Sequence, residues 1–390
     1  MSLAAQVWSA LGTVLDPEIR LPLVELDMLD QPVIEADGSV SQRVKLTVVG
    51  CPASDKIERE VRAAIESVAG VNSVQIQLDV MSPAEREALV AKLRANKPAR
   101  VNPFDADTLT HVLLIGSGKG GVGKSSVTAN LAVALAAAGQ KVGLIDADIF
   151  GFSIPGQLGL DNSKPTGRPT RVNELMLPPV AYGVKVISIG MFFEGNQPVA
   201  WRGPMLHRAV QQFLTDVFWG DLDYLLVDLP PGTGDIAISL GQLLPTAKSI
   251  VVTTPQSAAA DVAERSGAVG LQTGQGILGV IENMSWLEQS DGSRLNIFGE
   301  GGGQLVADRL TALVQAGEQA PDAENSQNQV PVLGQIPISV ALREGSDRGE
   351  PVVLANPNDP AALAIASVAE KLLSLPRGLA RRKLNISVQS

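Results

Sequence analysis

The chain has 390 residues, 45% hydrophobic and 18% charged, which is enough for two domains with sizeable cores. Its net charge of -10 argues against nucleic acid as a partner, because an acidic surface repels polyanions and the body of the chain has no basic patch. The single cysteine, Cys51, excludes an internal disulfide, and no stretch reaches the roughly 18 apolar residues of a membrane span. We therefore expect a cytoplasmic protein.

Residues 1–93 are predicted to form a small α+β domain. The segment QRVKLTVVG alternates in the manner of a strand, and SDKIEREVRAAIESV has apolar residues at helical spacing. A further helix is predicted for PAEREALVAKLR. The next residues, 94–108, are polar and contain two prolines, so they predict a linker between domains.

Residues 109–376 are predicted to form a larger α/β domain. Apolar strand candidates recur there with helices between them: HVLLIGS, KVGLIDAD, KVISIG, YLLVDLP, SIVVTTP, ILGVIEN and PVLGQIP. Such runs are typical of strands buried on both faces, so they predict a mainly parallel sheet whose ligands lie at the carboxyl ends of the strands. Residues 317–329 read as a mobile surface loop, and residues 377–390 as a tail.

The clearest chemical motif is the phosphate-binding pattern G-x-x-x-x-G-K-[ST]. Gly118, Gly123, Lys124 and Ser125 satisfy it, with a strand before the loop and an Ala-rich helix after it. Glycines let backbone N–H groups cradle phosphate oxygens, while the lysine reaches the β- and γ-phosphates and the serine hydroxyl coordinates Mg²⁺. The pattern predicts binding of ATP with Mg²⁺. The alternative is a glycine-rich turn with incidental lysines.

Carboxylates follow two other predicted strands. Asp146 and Asp148 come after one apolar run, where they could orient an attacking water or hold the hydration shell of Mg²⁺. Asp228 ends another strand and is followed by Gly232, as a metal-facing acid and a phosphate-sensing turn would require. Each aspartate alone could instead be a helix cap or a turn residue. Three strand ends that converge on one site favour the functional interpretation.

The loop also contains a second lysine, Lys119. With it, GKGGVGKSS resembles the deviant Walker A loop of the MinD/Mrp class of dimeric P-loop ATPases. The resemblance implies that Lys119 reaches across a homodimer interface to the partner's phosphates, as an arginine finger does. A solvated loop lysine is the alternative. The implied nucleotide contacts are Gly118, Lys119, Gly120, Gly121, Val122, Gly123, Lys124, Ser125 and Ser126.

Further motifs resemble the Mrp (ApbC-like) iron–sulfur cluster carriers, in the order expected for them. They include DADIFGFSIPG, WRGPMLHRAVQQFL, LDYLLVDLPPGTGD, VIENMS and IFGEGGG. The resemblance implies ATP hydrolysis coupled to cluster delivery, with apo iron–sulfur proteins and cluster scaffold proteins as partners. It places Asp148 at the hydrolysis-promoting position, Asp228 at the Walker B position and Asn283 at an adenine contact. Asn283 could otherwise be a strand-end turn residue.

The N-terminal segments VLDPEIRLPLVEL and LTVVGCPASDKIEREV are similar to the SufT-like domain often fused to these carriers. The resemblance links Cys51 to iron–sulfur work. We expect the following helix to lower the pKa of its thiol and make it a metal ligand. A lone cysteine could instead be a small buried hydrophobe. The Asp16-Pro17-Glu18 turn is expected either to lie near Cys51 or to serve only as a turn and cap.

One departure from the family concerns the cluster ligands. Members commonly carry C-x-x-C shortly after ENMS, and Gln289 and Gly292 stand at those places here. The histidines His111 and His207 complete no recognisable ligand set. A bound cluster would therefore depend on Cys51, on Asp, Glu or His ligands, on an exogenous thiol or on a partner protein.

Alternatives to a cluster carrier remain at this stage. A chaperone-like ATPase would assist assembly without holding the cluster itself. A MinD/ParA-like positioning ATPase would need a terminal amphipathic basic helix, whereas Pro376 and Gly378 interrupt the basic tail, which predicts no stable membrane anchor. An ATP-dependent ligase on the same fold lacks any substrate motif that we can identify.

Overall fold

The computed structural model describes residues 2–48, 51–94, 102–148, 151–192, 203–232, 235–289, 291–316 and 329–375. The chain divides into two compact units. The first comprises residues 1–101, 161–180 and 215–220, and the second comprises residues 102–160, 181–214 and 221–390. The predicted loop at 317–329 lies outside the described residues except at its last position, and the tail at 377–390 lies wholly outside them.

The helices and strands follow one another in three stretches. The N-terminal stretch contains α1 (Leu3–Leu11), β1 (Val33–Ile34), β2 (Ser39–Leu46), α2 (Ser54–Glu66), β3 (Ser73–Val80) and α3 (Pro83–Leu93). The middle stretch contains β4 (His111–Ser117), α4 (Lys124–Ala137), β5 (Val142–Asp146), α5 (Ile154–Gln157), β6 (Thr170–Val172), β7 (Leu175–Leu177), β8 (Val180–Ala181) and β9 (Val184–Ser188). The last stretch contains α6 (Gly203–Thr215), β10 (Tyr224–Asp228), α7 (Asp235–Leu243), β11 (Lys248–Thr253), α8 (Ser257–Gln272), β12 (Gly276–Glu288), β13 (Arg294–Leu295), α9 (Gly302–Ala316), β14 (Val332–Ile338), α10 (Val340–Arg348), α11 (Val352–Ala355) and α12 (Pro360–Leu373).

The first unit is built on a sheet with strand order β1-β2-β3, in which β2 is antiparallel to β1 and parallel to β3. Alternate residues of β2 face the core, and α2 covers it with Ile57, Val61 and Ile65, which are four residues apart and fully buried. Helix α3 begins with a capping box between Ser82 and Glu85. The predicted α+β domain is therefore present.

Residues 161–180 and 215–220 also belong to this first unit. Strands β6 and β7 form an antiparallel hairpin, and Val172, Leu175 and Leu177 join the hydrophobic core of the N-terminal residues. A bridge between Met176 and Val217 ties in the second segment. The sequence-based division assigned both segments to the larger domain, because their apolar side chains carry no sign of which core they enter.

The second unit is a mainly parallel sheet, as predicted. Its strand order is β13-β12-β11-β4-β10-β5-β9-β8, with β14 paired to β12. Strands β11, β4, β10, β5 and β9 are parallel neighbours with almost wholly buried side chains, so their carboxyl ends meet at one edge. That edge positions the candidate site.

The end of the predicted linker packs on the second unit. Phe104 is 1% exposed, and Asn102 Nδ2 donates to the Leu243 carbonyl over 2.7 Å. The large aromatic ring of Phe104 anchors this segment in the core, although the polar composition of the segment suggested an exposed linker. Residues 102–108 are therefore part of the folded unit, whereas residues 95–101 lie outside the described residues.

Candidate functional site

The glycine-rich loop joins β4 to α4 at the centre of the parallel sheet. Gly118 lies against the backbone of α8, where an added Cβ would come within 2.3 Å of Ala263 N. Gly123 has φ +77° and would meet Asn283 Nδ2 at 2.3 Å if it carried a Cβ. Both positions require glycine, so the loop is confined between its neighbours with its backbone free to face a ligand.

A buried charge cluster lies at the start of α4. Lys124 Nζ donates to Asp228 Oδ2 over 2.6 Å, and the two side chains are 6% and 0% exposed. The hydroxyls of Ser125 and Thr128 donate to Asp228 Oδ2 and Oδ1 over 2.6 and 2.8 Å. A buried carboxylate needs such donors, and the cluster places a cation, a hydroxyl and an acid beside the loop.

Asp146 lies beside this cluster, because β5 and β10 pair in a register that aligns Asp146 with Asp228. Ser188 Oγ donates to Asp146 Oδ2 over 3.1 Å, and the Asp148 N–H donates to Asp146 Oδ1 over 3.2 Å. Burial, reinforced by the negative charge of Asp228, raises the pKa of Asp146 to about 7. Two carboxyls therefore lie at the ends of neighbouring strands, and carboxylate oxygens are the kind of ligand that hard cations prefer.

Asp148 lies just past β5, with 8% of its surface exposed. Its Oδ1 accepts the N–H of Gly151 over 3.1 Å, and a Cβ on Gly151 would lie in contact with this carboxylate. The carboxylate therefore holds the backbone of Gly151 close to the end of β5. Asp148 follows Asp146 by two residues, and its N–H donates to Asp146 Oδ1.

Lys119 is paired within its own chain. Its Nζ donates over 2.7 Å to Oε1 of Gln256, the residue that immediately precedes α8. Among the remaining loop residues, Gly120 and Gly121 are exposed, Val122 is buried and Ser126 lies in the first turn of α4. A role for Lys119 across a dimer interface stays a prediction.

Asn283 supports the loop from β12. Its Nδ2 donates to the Val122 carbonyl over 2.9 Å, and the residue is 3% exposed. The next residue, Met284, has φ 59°, an uncommon conformation for a side chain of this type. This contact gives Asn283 a structural role in the loop, and its predicted contact with adenine stays a prediction.

Sequence reasoning missed two members of the site, Thr128 and Ser188, and one residue outside it, Gln256, that contacts the loop. Thr128 follows Lys124 by one helical turn, a spacing that could have suggested a shared helix face. Ser188 ends β9, in line with Asp146 across the strand pair. Gln256 carried no sequence signal, because its role depends on where the chain folds back to the loop.

Cys51 lies in the first unit between β2 and α2, as predicted, and is 5% exposed. Burial raises the pKa of its thiol to about 11; the charges of Glu18 and Asp16 add to this effect, while the Ala53 N–H and the Thr47 hydroxyl act against it. The expectation of a lowered pKa is therefore wrong. The Ala53 N–H at the start of the helix acts in the expected direction, but burial outweighs it.

The acidic turn serves as a turn and also interacts with Cys51. Asp16 Oδ1 accepts the N–H groups of Glu18 and Ile19 over 2.9 and 2.8 Å. Thr170 Oγ1 donates to Glu18 Oε1 over 2.9 Å. Burial, followed by the charge of Asp16, raises the pKa of Glu18 to about 7. Both sequence-based interpretations of this turn are thus correct in part.

The described residues contain no group of three or more His, Cys, Asp and Glu side chains placed to hold a metal ion. His111 is stacked on Tyr224 with ring centroids 5.1 Å apart. Gln289 and Gly292 lie in the tight turn between β12 and β13, where Gly292 N donates to the Gln289 carbonyl over 2.9 Å. The position of the usual C-x-x-C is therefore a hairpin turn here.

Within the described part of the chain, no helix has both the length and the apolar character needed to cross a membrane.

Two family models match the chain. One, described as NUBPL iron-transfer P-loop NTPase, matches residues 108–373, and the other, described as iron-sulfur cluster assembly protein, matches residues 4–78. The two matches fall on the nucleotide loop and on the Cys51 region respectively.

Curated proteins from several bacteria are similar over nearly the whole chain. The iron-sulfur cluster carrier protein of Mycobacterium tuberculosis strain H37Rv is 50% identical, with 98% of this chain and 97% of that protein covered. The protein of the same name from Deinococcus radiodurans is 41% identical, with 93% of each covered. Among solved structures, a nucleotide-binding protein of Archaeoglobus fulgidus in complex with ADP is 35% identical, covers 61% of this chain and 86% of its own, and superposes with a TM-score of 0.49.

Proposed function

Since the chain belongs to the family of NUBPL iron-transfer P-loop NTPases, we propose that it binds and hydrolyses ATP with Mg²⁺ to help carry iron–sulfur clusters to apoproteins. The observation that carries the proposal is the Lys124–Ser125–Asp228 cluster beside a glycine loop, joined in one chain to a cluster-assembly domain. The names of the curated relatives support the same function.

The loop fits a nucleotide phosphate. Gly118 and Gly123 lie too close to their neighbours to carry a side chain, which leaves the backbone N–H groups to face phosphate oxygens. Lys124 would exchange its bond to Asp228 for bonds to a phosphate, where charge-assisted hydrogen bonds are strong. Ser125, Asp228 and Asp146 offer the oxygen ligands that Mg²⁺ prefers, and bound Mg²⁺ would supply charge neutralisation for the phosphates.

Asp148 is proposed to orient the water that attacks the γ-phosphate. Its turn is fixed through Gly151, so the carboxylate stays at the strand end beside Asp146. Lys119 is proposed to complete the site of a second copy in a homodimer, because Lys124 already fills the role of the phosphate lysine in its own chain.

Mixed dimers test the role of Lys119 directly. Lys119→Ala subunits and Asp148→Ala subunits would each be inactive alone, whereas a mixed dimer contains one site with its own Asp148 and its partner's Lys119. Recovery of ATP hydrolysis on mixing would support the role in trans. If no mixture exceeds the separate variants despite demonstrated subunit exchange, the role is wrong.

The cluster is the cargo, and the chain supplies few ligands for it. A [4Fe-4S] cluster usually takes four thiolates, and the chain has one cysteine. We propose that any cluster is shared between two copies, depends on Cys51 and completes its coordination with borrowed ligands. Such a site favours delivery over storage, with apo iron–sulfur proteins and scaffold proteins as the expected partners.

The experiment is anaerobic loading with iron and sulfide, followed by transfer to an apoprotein acceptor with and without ATP. The proposal expects transfer that depends on ATP in the wild type and is lost in Lys124→Ala. Transfer at equal rates with both proteins would contradict the coupling.

A second candidate is a chaperone-like ATPase that never holds the cluster. The buried thiol of Cys51 favours it, because a raised pKa disfavours the thiolate that binds iron. ATP-dependent stimulation of transfer from another carrier, without any iron bound to this chain, would support this candidate.

A further inference from the structure

The side chain that holds Lys119 belongs to neither the phosphate-binding pattern nor the acidic strand ends. Lys119 Nζ donates to Gln256 Oε1 over 2.7 Å, and the pair is partly buried. Lysines on exposed loops seldom have a single fixed acceptor, because holding a long side chain in one geometry costs entropy. This lysine has one within its own subunit.

The backbone at Lys119 is fixed from two sides. Ser117 Oγ donates to the Lys119 carbonyl over 3.1 Å. The preceding residue, Gly118, lies against α8, where a Cβ would come within 2.3 Å of both Val262 C and Ala263 N. Lys119 therefore begins from a defined position, and only its side chain can move far.

Gln256 is fixed equally well. It occupies the N-cap position of α8 with extended backbone angles (φ -64°, ψ 125°), and its side chain makes no capping hydrogen bond. The residue before it, Pro255, packs against Gly302 so closely that a Cβ there would lie 2.5 Å from Pro255 C. Its amide is thus available for Lys119. A short polar side chain that caps the helix is more usual at this position.

The chemistry of the acceptor suits a lysine that must leave. An amide oxygen is neutral, so its hydrogen bond to an ammonium is weaker than the bond of an ammonium to a phosphate oxygen. We propose that Gln256 is a positioning residue that holds Lys119 in its own subunit and sets how readily this lysine moves to the nucleotide of a second copy. This inference rests on the proposed role of Lys119 in trans.

The test compares subunit association in Mg²⁺ and a non-hydrolysable ATP analogue, measured by sedimentation, for the wild type and Gln256→Met. Methionine keeps the length of the side chain and removes the acceptor. Released from Gln256, Lys119 should bind the partner more readily, so the dissociation constant of the dimer should fall about tenfold. The kcat for ATP at saturating protein concentration should stay unchanged.

Gln256→Glu should act in the opposite direction. A carboxylate would hold the Lys119 ammonium more tightly, so the dissociation constant of the dimer should rise. Added salt should reduce this rise. Unchanged affinity for a single nucleotide and unchanged thermal unfolding would verify that both variants are folded.

The decisive control is the same substitution in a Lys119→Ala background. If Gln256 acts through Lys119, Gln256→Met should leave association unaltered there. An equal shift in both backgrounds, or no shift in either, would overturn the role of Gln256. Wild-type association and ATP hydrolysis in Lys119→Ala alone would overturn the trans role itself, so the two failures can be told apart.

Discussion

The loop at residues 118–123 and the turn around Cys51 both lead from a strand into a helix, but opposite charges surround their functional groups. The loop ends at Lys124, a buried cation paired with Asp228. Burial opposes the ionisation of Cys51, and the negative charges of Glu18 and Asp16 oppose it further. The first region can attract an anionic ligand with its own residues. In the second region, the Cys51 thiol can ionise to a thiolate only when a bound cation compensates the charge. We therefore expect the loop to bind a nucleotide phosphate through cations of this protein, and Cys51 to bind iron only when the metal itself supplies the compensating charge.

The largest effect on the nucleotide loop is expected when the ammonium of Lys124 is removed. Lys124→Ala removes the phosphate lysine and leaves the buried Asp228 without its ion-pair partner. We expect the affinity for ATP to fall by at least about a hundredfold, because a charge-assisted contact is lost and an acid faces the phosphates. Titration calorimetry would measure it. The exposed Lys141→Ala is the control, and wild-type affinity in Lys124→Ala would refute the assignment.

Asp148 separates binding from turnover in the same region. Asp148→Asn keeps an oxygen that can accept the Gly151 N–H, so the turn should survive while the charge is lost. We expect ATP affinity near that of the wild type and a kcat lower by about 10² to 10⁴. Steady-state kinetics would measure both quantities, with the exposed Asp291→Asn as the control. Loss of binding together with turnover would assign Asp148 to structure instead.

The low reactivity of Cys51 tests the second region. Because the pKa of the thiol is raised to about 11 and the residue is 5% exposed, alkylation at neutral pH should be at least about a hundredfold slower than in the urea-unfolded chain. Iodoacetamide labelling followed by mass spectrometry would give the rates. Labelling as fast as in the unfolded chain would mean that the thiol is neither buried nor held neutral.

Glu18 tests the acidic side of that comparison. Folded Glu18 keeps its proton up to about pH 7, whereas an unfolded glutamate releases it near 4.5, so the folded state binds more protons between these values. The free energy of unfolding therefore keeps the whole contribution of Glu18 below about pH 4.5, and loses it as the pH rises from about 4.5 to about 7.

Glu18→Gln should remove that pH dependence. We expect the variant to match the wild type near about pH 4 and to exceed its free energy of unfolding by about 2 kcal/mol near about pH 8, since the amide keeps the oxygen that accepts from Thr170. Urea unfolding at both pH values would measure it. The exposed Glu25→Gln should behave as the wild type throughout, and a loss of stability in Glu18→Gln at high pH would reverse the assigned sign.

Much of the nucleotide site could be predicted from the sequence, because its pattern is local. The spacing from Gly118 to Ser125 sets the turn, the phosphate lysine and the start of α4 within one short segment. The buried strands likewise predicted a parallel sheet with Asp146 and Asp228 at one edge. Such features need no knowledge of distant residues.

The remaining contacts could not be predicted because they join distant parts of the chain. Gln256 meets Lys119, and Thr170 meets Glu18, only after strands and hairpins have taken their register. The pKa of Cys51 was predicted in the wrong direction for the same reason, since burial in the folded unit raises it most and the charges of Glu18 and Asp16 add to that effect. Phe104 is a further example, because the polar composition of the predicted linker gave no indication that this residue is buried in a core.

The most direct test of the account is the iron and sulfide content of the anaerobically reconstituted protein, wild type against Cys51→Ala, together with transfer to an apoprotein acceptor. The account predicts a labile cluster shared between two wild-type copies, and neither loading nor transfer in the alanine variant. Undiminished loading and transfer in Cys51→Ala would contradict it and remove this cysteine from the mechanism.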